Sequence, residues 1–175
     1  MPEDARESLN AWLTETLEKF ERPLVAYAAR IVGNTDRARD VVQDTFMKLI
    51  RQDRRDLDGK LPQWLYTVCR NQAIDVKRKE DRMQRSTAVS RFEPERTPAA
   101  PPDILERREG ATHARRMVDA LPDKQQEAIS LRFEQGLTYK QIADVMSTNV
   151  NNVGVLIHAG MKTLRSELCT DATKR

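Results

Sequence analysis

Between Leu61 and Arg82 the chain reads LPQWLYTVCRNQAIDVKRKEDR, a stretch whose residue types suit nucleic acid. Trp64 and Tyr66 stand near Arg70 and Asn71, followed by Lys77, Arg78, Lys79 and Arg82 against Asp75, Glu80 and Asp81. Aromatic rings stack on unpaired bases, and Lys and Arg neutralise phosphates. An Asn amide donates and accepts on one base edge, which gives Asn71 a reason to be there. A plainer reading stands beside this one. Leu61, Trp64, Leu65, Val68 and Ile74 recur at helical spacing, with Pro62 in the first turn, so Trp64 can be core and the basic half a solvated tail. Trp64 and Tyr66 fall about 160° apart on a helix, so one core cannot take both. The spacing predicts Trp64 packed and Tyr66 more exposed.

Other elements must hold this stretch in place. Trp12, Leu13, Leu17 and Phe20 form one apolar stripe within Leu9–Val32, where Pro23 is expected to start a second helix carrying Leu24, Tyr27, Ala28 and Ile31. Gly33 can end it, and Asn34 or Thr35 can cap the next. From Asp36 to about Arg51 the pattern is amphipathic: Ala38, Val41, Val42, Thr45, Phe46 and Leu49 share one side. Asp36, Asp40, Gln43, Asp44 and Met47 share the other, with Arg37, Arg39 and Lys48 at its flanks. A solvated face and an acidic docking face both fit that pattern. Gln52–Lys60 is a polar loop with Gly59 available for a turn.

Composition narrows the class. The chain has 175 residues, 33% of them charged, a net charge of +3 and a pI near 9.0. That balance permits nucleic-acid binding without requiring it, so the sign of charge is judged locally. Cys69 and Cys169 are too few for a disulfide framework or a zinc site and are expected to be reduced. His113 and His158 have no metal-ligand spacing and no neighbouring nucleophile. No paired carboxylates, His–Cys arrangement or Gly-rich phosphate loop supports an enzyme, so neither catalysis nor a cofactor is expected. The acidic, polar N-terminus is unlike a signal peptide, and no apolar run approaches the ~18 residues of a membrane span, so a cytoplasmic protein without membrane insertion is expected.

Residues 83–102 hold Pro94, Pro98, Pro101 and Pro102 without periodicity and are expected to form a flexible linker. As a coil it spans roughly 25 Å; stiffened by proline it reaches about 60 Å. Beyond it the chain is helical again: Ile104–Leu121, stopped by Pro122, then Asp123–Glu134, closed near Gly136. Thr138-Tyr139-Lys140-Gln141 fits a capping box. The helix it starts carries Ile142, Ala143 and Met146, and after a turn at Ser147–Asn149 a longer helix runs from Val150 to about Leu168. Its inward positions are Val153, Ile157, Gly160 or Met161, Leu164 and Leu168. Helix, short turn, longer helix is the helix-turn-helix arrangement.

Three stretches in order carry a family resemblance. DRARDVVQDTFMKLI resembles region 2.2, and WLYTVCRNQAIDVKRK regions 2.3–2.4, of the extracytoplasmic-function (ECF) group of sigma-70 factors. LPDKQQEAISLRFEQGLTYKQIADVMSTNVNNVGVLIHAGMKTLRSEL resembles their region 4. The resemblance implies an all-α chain of two small helical domains: residues 1–82 as region 2, the linker 83–102, and residues 103–175 as region 4. It implies a bacterial alternative sigma factor that catalyses nothing itself and lends promoter specificity to core RNA polymerase. Asp36, Asp40, Gln43, Asp44 and Met47 would then grip the clamp helices of the β′ subunit. Asp56, Lys60, Tyr66, Arg70, Asn71, Lys77 and Arg78 would meet the −10 element, where a loop matching about Asp56–Leu61 forms a pocket for a flipped base. Thr138, Tyr139, Asn151, Asn152, Val155, His158 and Lys162 would meet the −35 element, while region 4 also touches the β flap. An anti-sigma factor is a typical partner of the group. The chain departs from its relatives in the last long helix. They commonly carry Lys or Arg where Gly154, Leu156, Ala159 and Met161 stand here, which leaves Lys162 and Arg165, and Ser147 replaces a frequent turn glycine. The alternative is a stand-alone helix-turn-helix regulator, which accounts for Gly136–Leu168 but not for the acidic helix or for Trp64–Asn71.

Overall fold

Helix α1 runs over Glu3–Val32 and continues straight through Pro23. The expected break at Pro23 does not occur. Proline removes one backbone rung and in a helix interior costs about 3 kcal/mol. Tertiary packing outweighs that here, because Thr16, Phe20, Leu24, Tyr27, Ala28 and Val32 form one buried stripe across the proline. Gly33, at φ +73°, ends the helix, its N–H donating to the Ala29 carbonyl at 2.8 Å. The Asn34 side chain then accepts from the Arg37 N–H at 3.0 Å and starts α2, Thr35–Leu49. A 3₁₀ turn at Arg54–Leu57 follows inside the expected polar loop, and α3 spans Leu61–Ser86, four residues past the expected domain end at 82.

This computed structural model describes the backbone of residues 3–86 and 108–173, and the side chains of 7–83 and 114–169. The expected linker lies almost wholly outside the described residues. So do Ile104 to Arg107 of the next expected helix, and the His113 side chain. Every described regular element is helical, and they form two separate compact units.

In the first unit α1, α2 and α3 pack on one another. The buried side of α2 is the expected one: Ala38, Val41, Val42, Thr45, Phe46 and Leu49. Burying side chains such as Val, Leu and Phe stabilises by ~1.5–3 kcal/mol each, so the bundle rests mainly on these and their partners. On α3 the buried stripe is Leu65, Tyr66, Cys69 and Ala73, rotated by about one residue from the expected one. Tyr66 is fully buried, its ring edge-on to Tyr27 at 5.1 Å, while Trp64 sits half-buried at the rim. The expectation of Trp64 inside and Tyr66 outside is therefore reversed. Cys69 and Ala73 are small enough to let α3 close on its neighbours, which turns Tyr66 rather than Trp64 inward. A polar seam runs through this core. Thr45 Oγ1 donates to the Val41 carbonyl and accepts from Gln72 Nε2, both at 2.8 Å, and it hydrogen-bonds the Cys69 thiol. Burial pushes that thiol up to about 12, with the Thr45 bond opposing.

The second unit begins with α4, Arg108–Asp119, and α5, Asp123–Ile129. What reads in sequence as one helix to Glu134 changes winding at Ser130–Glu134, where a π turn closes with the Gln135 N–H donating to the Ser130 carbonyl at 3.2 Å. Gly136, at φ +70°, then reverses the chain, and Arg132 Nη1 donates to the Leu137 carbonyl at 2.9 Å. The Thr138–Gln141 capping box forms as expected and starts α6, Tyr139–Val145. Ser147 holds φ +52°, the left-handed backbone that glycine adopts without strain. Helix α7 spans Val150–Thr173 and seats Val153, Ile157 and Gly160 inward. A Cβ on Gly160 would stand 2.5 Å from Ile129 Cδ1, so α7 lies tightly on α5. Leu168, expected inside, is exposed.

Candidate functional site

The outer face of α2 is built as its sequence pattern demands. With the apolar side inward, Asp36, Asp40, Gln43, Asp44 and Met47 are all exposed along one side. Asp40 and Asp44 lie one turn apart at its centre. Flanking cations are engaged with other acids: Arg39 Nη1 donates to Asp36 Oδ1 at 3.0 Å, and Arg37 pairs with Glu80 of α3. Cations thus stay at the edges and the centre stays negative. Met47 is 50% exposed, and Ile50, which the sequence reading did not single out, is 55% exposed one turn on. Carboxylates beside exposed apolar side chains suit a basic partner surface with an apolar centre.

The loop before α3 is held from both ends. Asp53 Oδ1 accepts from the Arg55 N–H at 2.9 Å, Leu57 is buried, and Gly59 turns the chain at φ +67°. These devices leave Asp56, Asp58 and Lys60 exposed. They also shape a pocket of about 520 Å³ whose walls are Arg54, Arg55, Leu57, Asp58, Gly59 and Leu61, closed on one side by Trp12 of α1. The Arg54 guanidinium lies 5.4 Å from the centre of the Trp12 ring. The pocket falls on the loop expected to hold one, but Trp12 was assigned only to an apolar stripe. Forty-two residues separate it from Arg54, and periodicity within α1 carries no sign of that meeting.

On α3 the remaining expected −10 residues form one stripe. Arg70, Asn71, Lys77 and Arg78 fall within about 120° of one another around the helix. Arg70 is half-buried and the other three are exposed. Tyr66 must be withdrawn from this group, because a fully buried ring packed on Tyr27 presents no face to a base.

In the second unit the Thr138 hydroxyl is occupied with the α6 cap, donating to Gln141 Oε1 at 3.0 Å and accepting from the Gln141 N–H at 3.3 Å. Tyr139 is 38% exposed, with the Arg132 guanidinium 5.5 Å from its ring centre. Asn149, which the sequence reading left in the turn, takes part in starting α7: its Oδ1 accepts from the Asn152 N–H at 2.7 Å. Asn152 Nδ2 donates to Thr148 Oγ1 at 2.9 Å, so one of its amide protons is already committed. Asn151, Val155, His158 and Lys162 recur at helical spacing on the side of α7 opposite Val153, Ile157 and Gly160, and all four are exposed. Their line holds two polar groups, one methyl-bearing side chain and one fixed cation. Among the described residues no group of three or more His, Cys, Asp or Glu is placed to hold a metal, and no helix is long and apolar enough to cross a membrane.

Comparison with known proteins assigns both units to one family. Residues 16–83 match the family model of sigma-70 region 2, and residues 114–164 match that of sigma-70 region 4, together more than half of the chain. ECF RNA polymerase sigma factor SigE of Mycolicibacterium smegmatis is 26% identical over 151 residues, covering 84% of this chain and 58% of that protein's length. ECF RNA polymerase sigma factor SigW of Bacillus subtilis is 26% identical over 148 residues, 79% of each chain. Among solved structures, the sigma factor RpoE of Bartonella quintana, crystallised with the anti-sigma factor NepR, superposes with a TM-score of 0.67 at 23% identity. That match covers 90% of this chain and 97% of the other, and it shows the fold.

Proposed function

The chain belongs to the sigma-70 family, and from that premise we propose that it acts as an ECF sigma factor, binding core RNA polymerase and directing initiation at a particular set of promoters. The observation that carries the proposal is the two-sided build of α2. One side completes the bundle core, and the other presents Asp40 and Asp44 beside Met47 with no structural task in the described unit. That face would dock on the clamp helices of the β′ subunit. The pocketed loop with Asp56 and Lys60, and the stripe Arg70, Asn71, Lys77 and Arg78, would then meet the −10 element as its strands part. Lys and Arg would follow phosphates while the Asn71 amide reads a base edge.

The helix-turn-helix would sit at the −35 element and against the β flap. Thr138 and Tyr139 would lie near the backbone, and Asn151, Asn152, Val155, His158 and Lys162 would enter the groove. Val155 suits a thymine methyl, and an Asn amide suits adenine. With so few cations on this face, the second unit neutralises few phosphates. Its affinity would depend on the polymerase and the first unit holding it at the promoter. The solved relative in complex with an anti-sigma factor supports the expectation of such a partner here. The polymerase would supply the chemistry, and work on promoter DNA would put the chain in the cytoplasm.

A stand-alone regulator needs neither the acidic face nor the loop pocket. Reconstituting the chain with core polymerase and following run-off transcription on genomic promoters separates the two. Promoter-selective transcripts that require both components support the sigma reading. Promoter binding that needs no polymerase, with no transcripts from the reconstituted mixture, refutes it.

A further inference from the structure

Helices α2 and α3 are joined by two polar links at different depths. Inside the bundle Gln72 Nε2 donates to Thr45 Oγ1 at 2.8 Å, and Thr45 is fully buried. At the rim Arg37 pairs with Glu80, their side chains 50% and 23% exposed. Thr45 stands eight residues after Arg37, and Gln72 stands eight residues before Glu80. Equal offsets in opposite directions place both links in one antiparallel register, about 12 Å apart at ~1.5 Å per residue. We propose that the two links form a register lock, and that Thr45, Gln72, Arg37 and Glu80 are positioning residues for promoter opening. The proposal rests on the promoter-opening reading and adds to it four residues that act through their neighbours.

The apolar part of this seam sets register weakly. Ala38 on α2 and Cys69 and Ala73 on α3 are fully buried and small. Small side chains make shallow ridges and grooves, over which one helix can shift at little cost. The polar links cannot shift, because a slip of one turn would part Gln72 from Thr45 and Arg37 from Glu80 together. A half-exposed ion pair adds little stability, so what the two links share is the register they specify. Each link also adjoins a residue of the proposed contact faces. Thr45 follows Asp44 of the docking face, Gln72 follows Asn71 of the DNA stripe, and Glu80 lies just beyond Lys77 and Arg78. With α2 held on the polymerase, the lock then sets where the α3 stripe stands along the DNA. One helical turn is about 5.4 Å against a base-pair step of about 3.4 Å, so a one-turn slip misplaces the stripe by more than one base. Smaller displacements also count, since an error of about 1 Å in a working geometry can cost on the order of 100-fold in rate.

Gln72→Leu with Glu80→Gln cuts both links from α3. Glu80→Gln also removes a negative charge beside Lys77 and Arg78, which by charge alone should tighten DNA binding, so slower opening reports position. The full chain is assembled with core polymerase. A dye on exposed Cys169 reports assembly by its anisotropy, and permanganate reactivity of promoter thymines reports opening. Assembly within about twofold of the unsubstituted chain is expected, with opening about tenfold slower and reactivity spread over neighbouring thymines. Thr45→Val with Arg37→Gln cuts the same links from α2 and should reproduce the slowing, so the test survives if one pair unfolds the bundle. Val42→Ala truncates the core while leaving both links in place; it should lower the denaturation midpoint at least as far and open at the unsubstituted rate. Opening at the unsubstituted rate by the link variants, or equal slowing by Val42→Ala, overturns the lock and leaves the sigma reading standing. Failure of the unsubstituted chain to assemble with core polymerase overturns the reading beneath it.

Discussion

Reversing both central charges of α2, Asp40→Arg with Asp44→Arg, separates folding from docking more sharply than any other change in the first unit. Both residues are exposed and face away from Ala38, Val41, Val42 and Phe46, so no core contact is lost. Arg favours helix somewhat more than Asp, and a like-charge pair one turn apart is replaced by another. The folding cost should therefore stay within ~0.5 kcal/mol per site, ordinary for surface changes. Docking is a different matter. Close charge pairs across protein interfaces couple by ~1.5 kcal/mol or more, and reversal turns attraction into repulsion of similar size. About 3 kcal/mol per site gives ~6 kcal/mol for the pair, or roughly 10⁴-fold in affinity. Cys169 is exposed and Cys69 buried, so a thiol-reactive dye marks Cys169 and its anisotropy reports titration with core polymerase. Helicity and the unfolding midpoint should match the unsubstituted protein while assembly disappears. Assembly within a few-fold of normal by a well-folded double variant would refute the assignment of this face.

Tyr66→Ala should destabilise the first unit by ~3–5 kcal/mol, since a large buried ring is removed and its edge-on partner Tyr27 is left beside a cavity. Asn71→Ala, at an exposed position, should leave the denaturation midpoint in place and slow promoter opening; equal thermal losses in both variants would contradict that split. Ser147→Gly relieves a left-handed serine at φ +52° and should stabilise the second unit by ~1 kcal/mol, seen as a rise of roughly 4–8 °C in its melting midpoint. At neutral pH a thiol reagent should modify Cys169 at once and Cys69 only on unfolding. The pH sign follows from the folded thiol titrating at about 12 against 9.0 unfolded: the unfolded chain loses this proton first. Stability should therefore begin to fall as pH passes about 9, and a variant with Cys69→Ala should show a weaker decline there.

Amphipathic α2 was fully legible in the sequence, because six apolar or small residues at helical spacing leave no competing inward face. The Thr138 capping box was legible for a similar reason: its partner lies three residues away and both ends are polar. Local pattern failed where distant packing decided. Counting large apolar side chains on α3 favoured Trp64, whereas the smallness of Cys69 and Ala73 set which side could approach α1. Pro23 announced a break that the buried stripe from Thr16 to Val32 overrode. The π turn at Ser130–Glu134 has no local signal beyond Gly136, and the meeting of Trp12 with Arg54 belongs to tertiary structure alone. Ser147 was noticed as a missing glycine, and the structure shows the backbone strain that the substitution entails.

The double duty of α2 bears on how this gene can drift. An ordinary surface helix keeps an outward side on which substitutions accumulate unnoticed. Here the inward side is tied to the core, and the outward side, on the clamp assignment, is tied to a surface of another gene product. Even the flanks are engaged, Arg37 with Glu80 and Arg39 with Asp36. A saturation library across Thr35–Leu49 should show almost no tolerant stripe. On the proposed function, divergence between paralogues should collect instead in the pocketed loop and along the outward line of α7, where a change would alter which promoter is chosen without breaking the union with the polymerase.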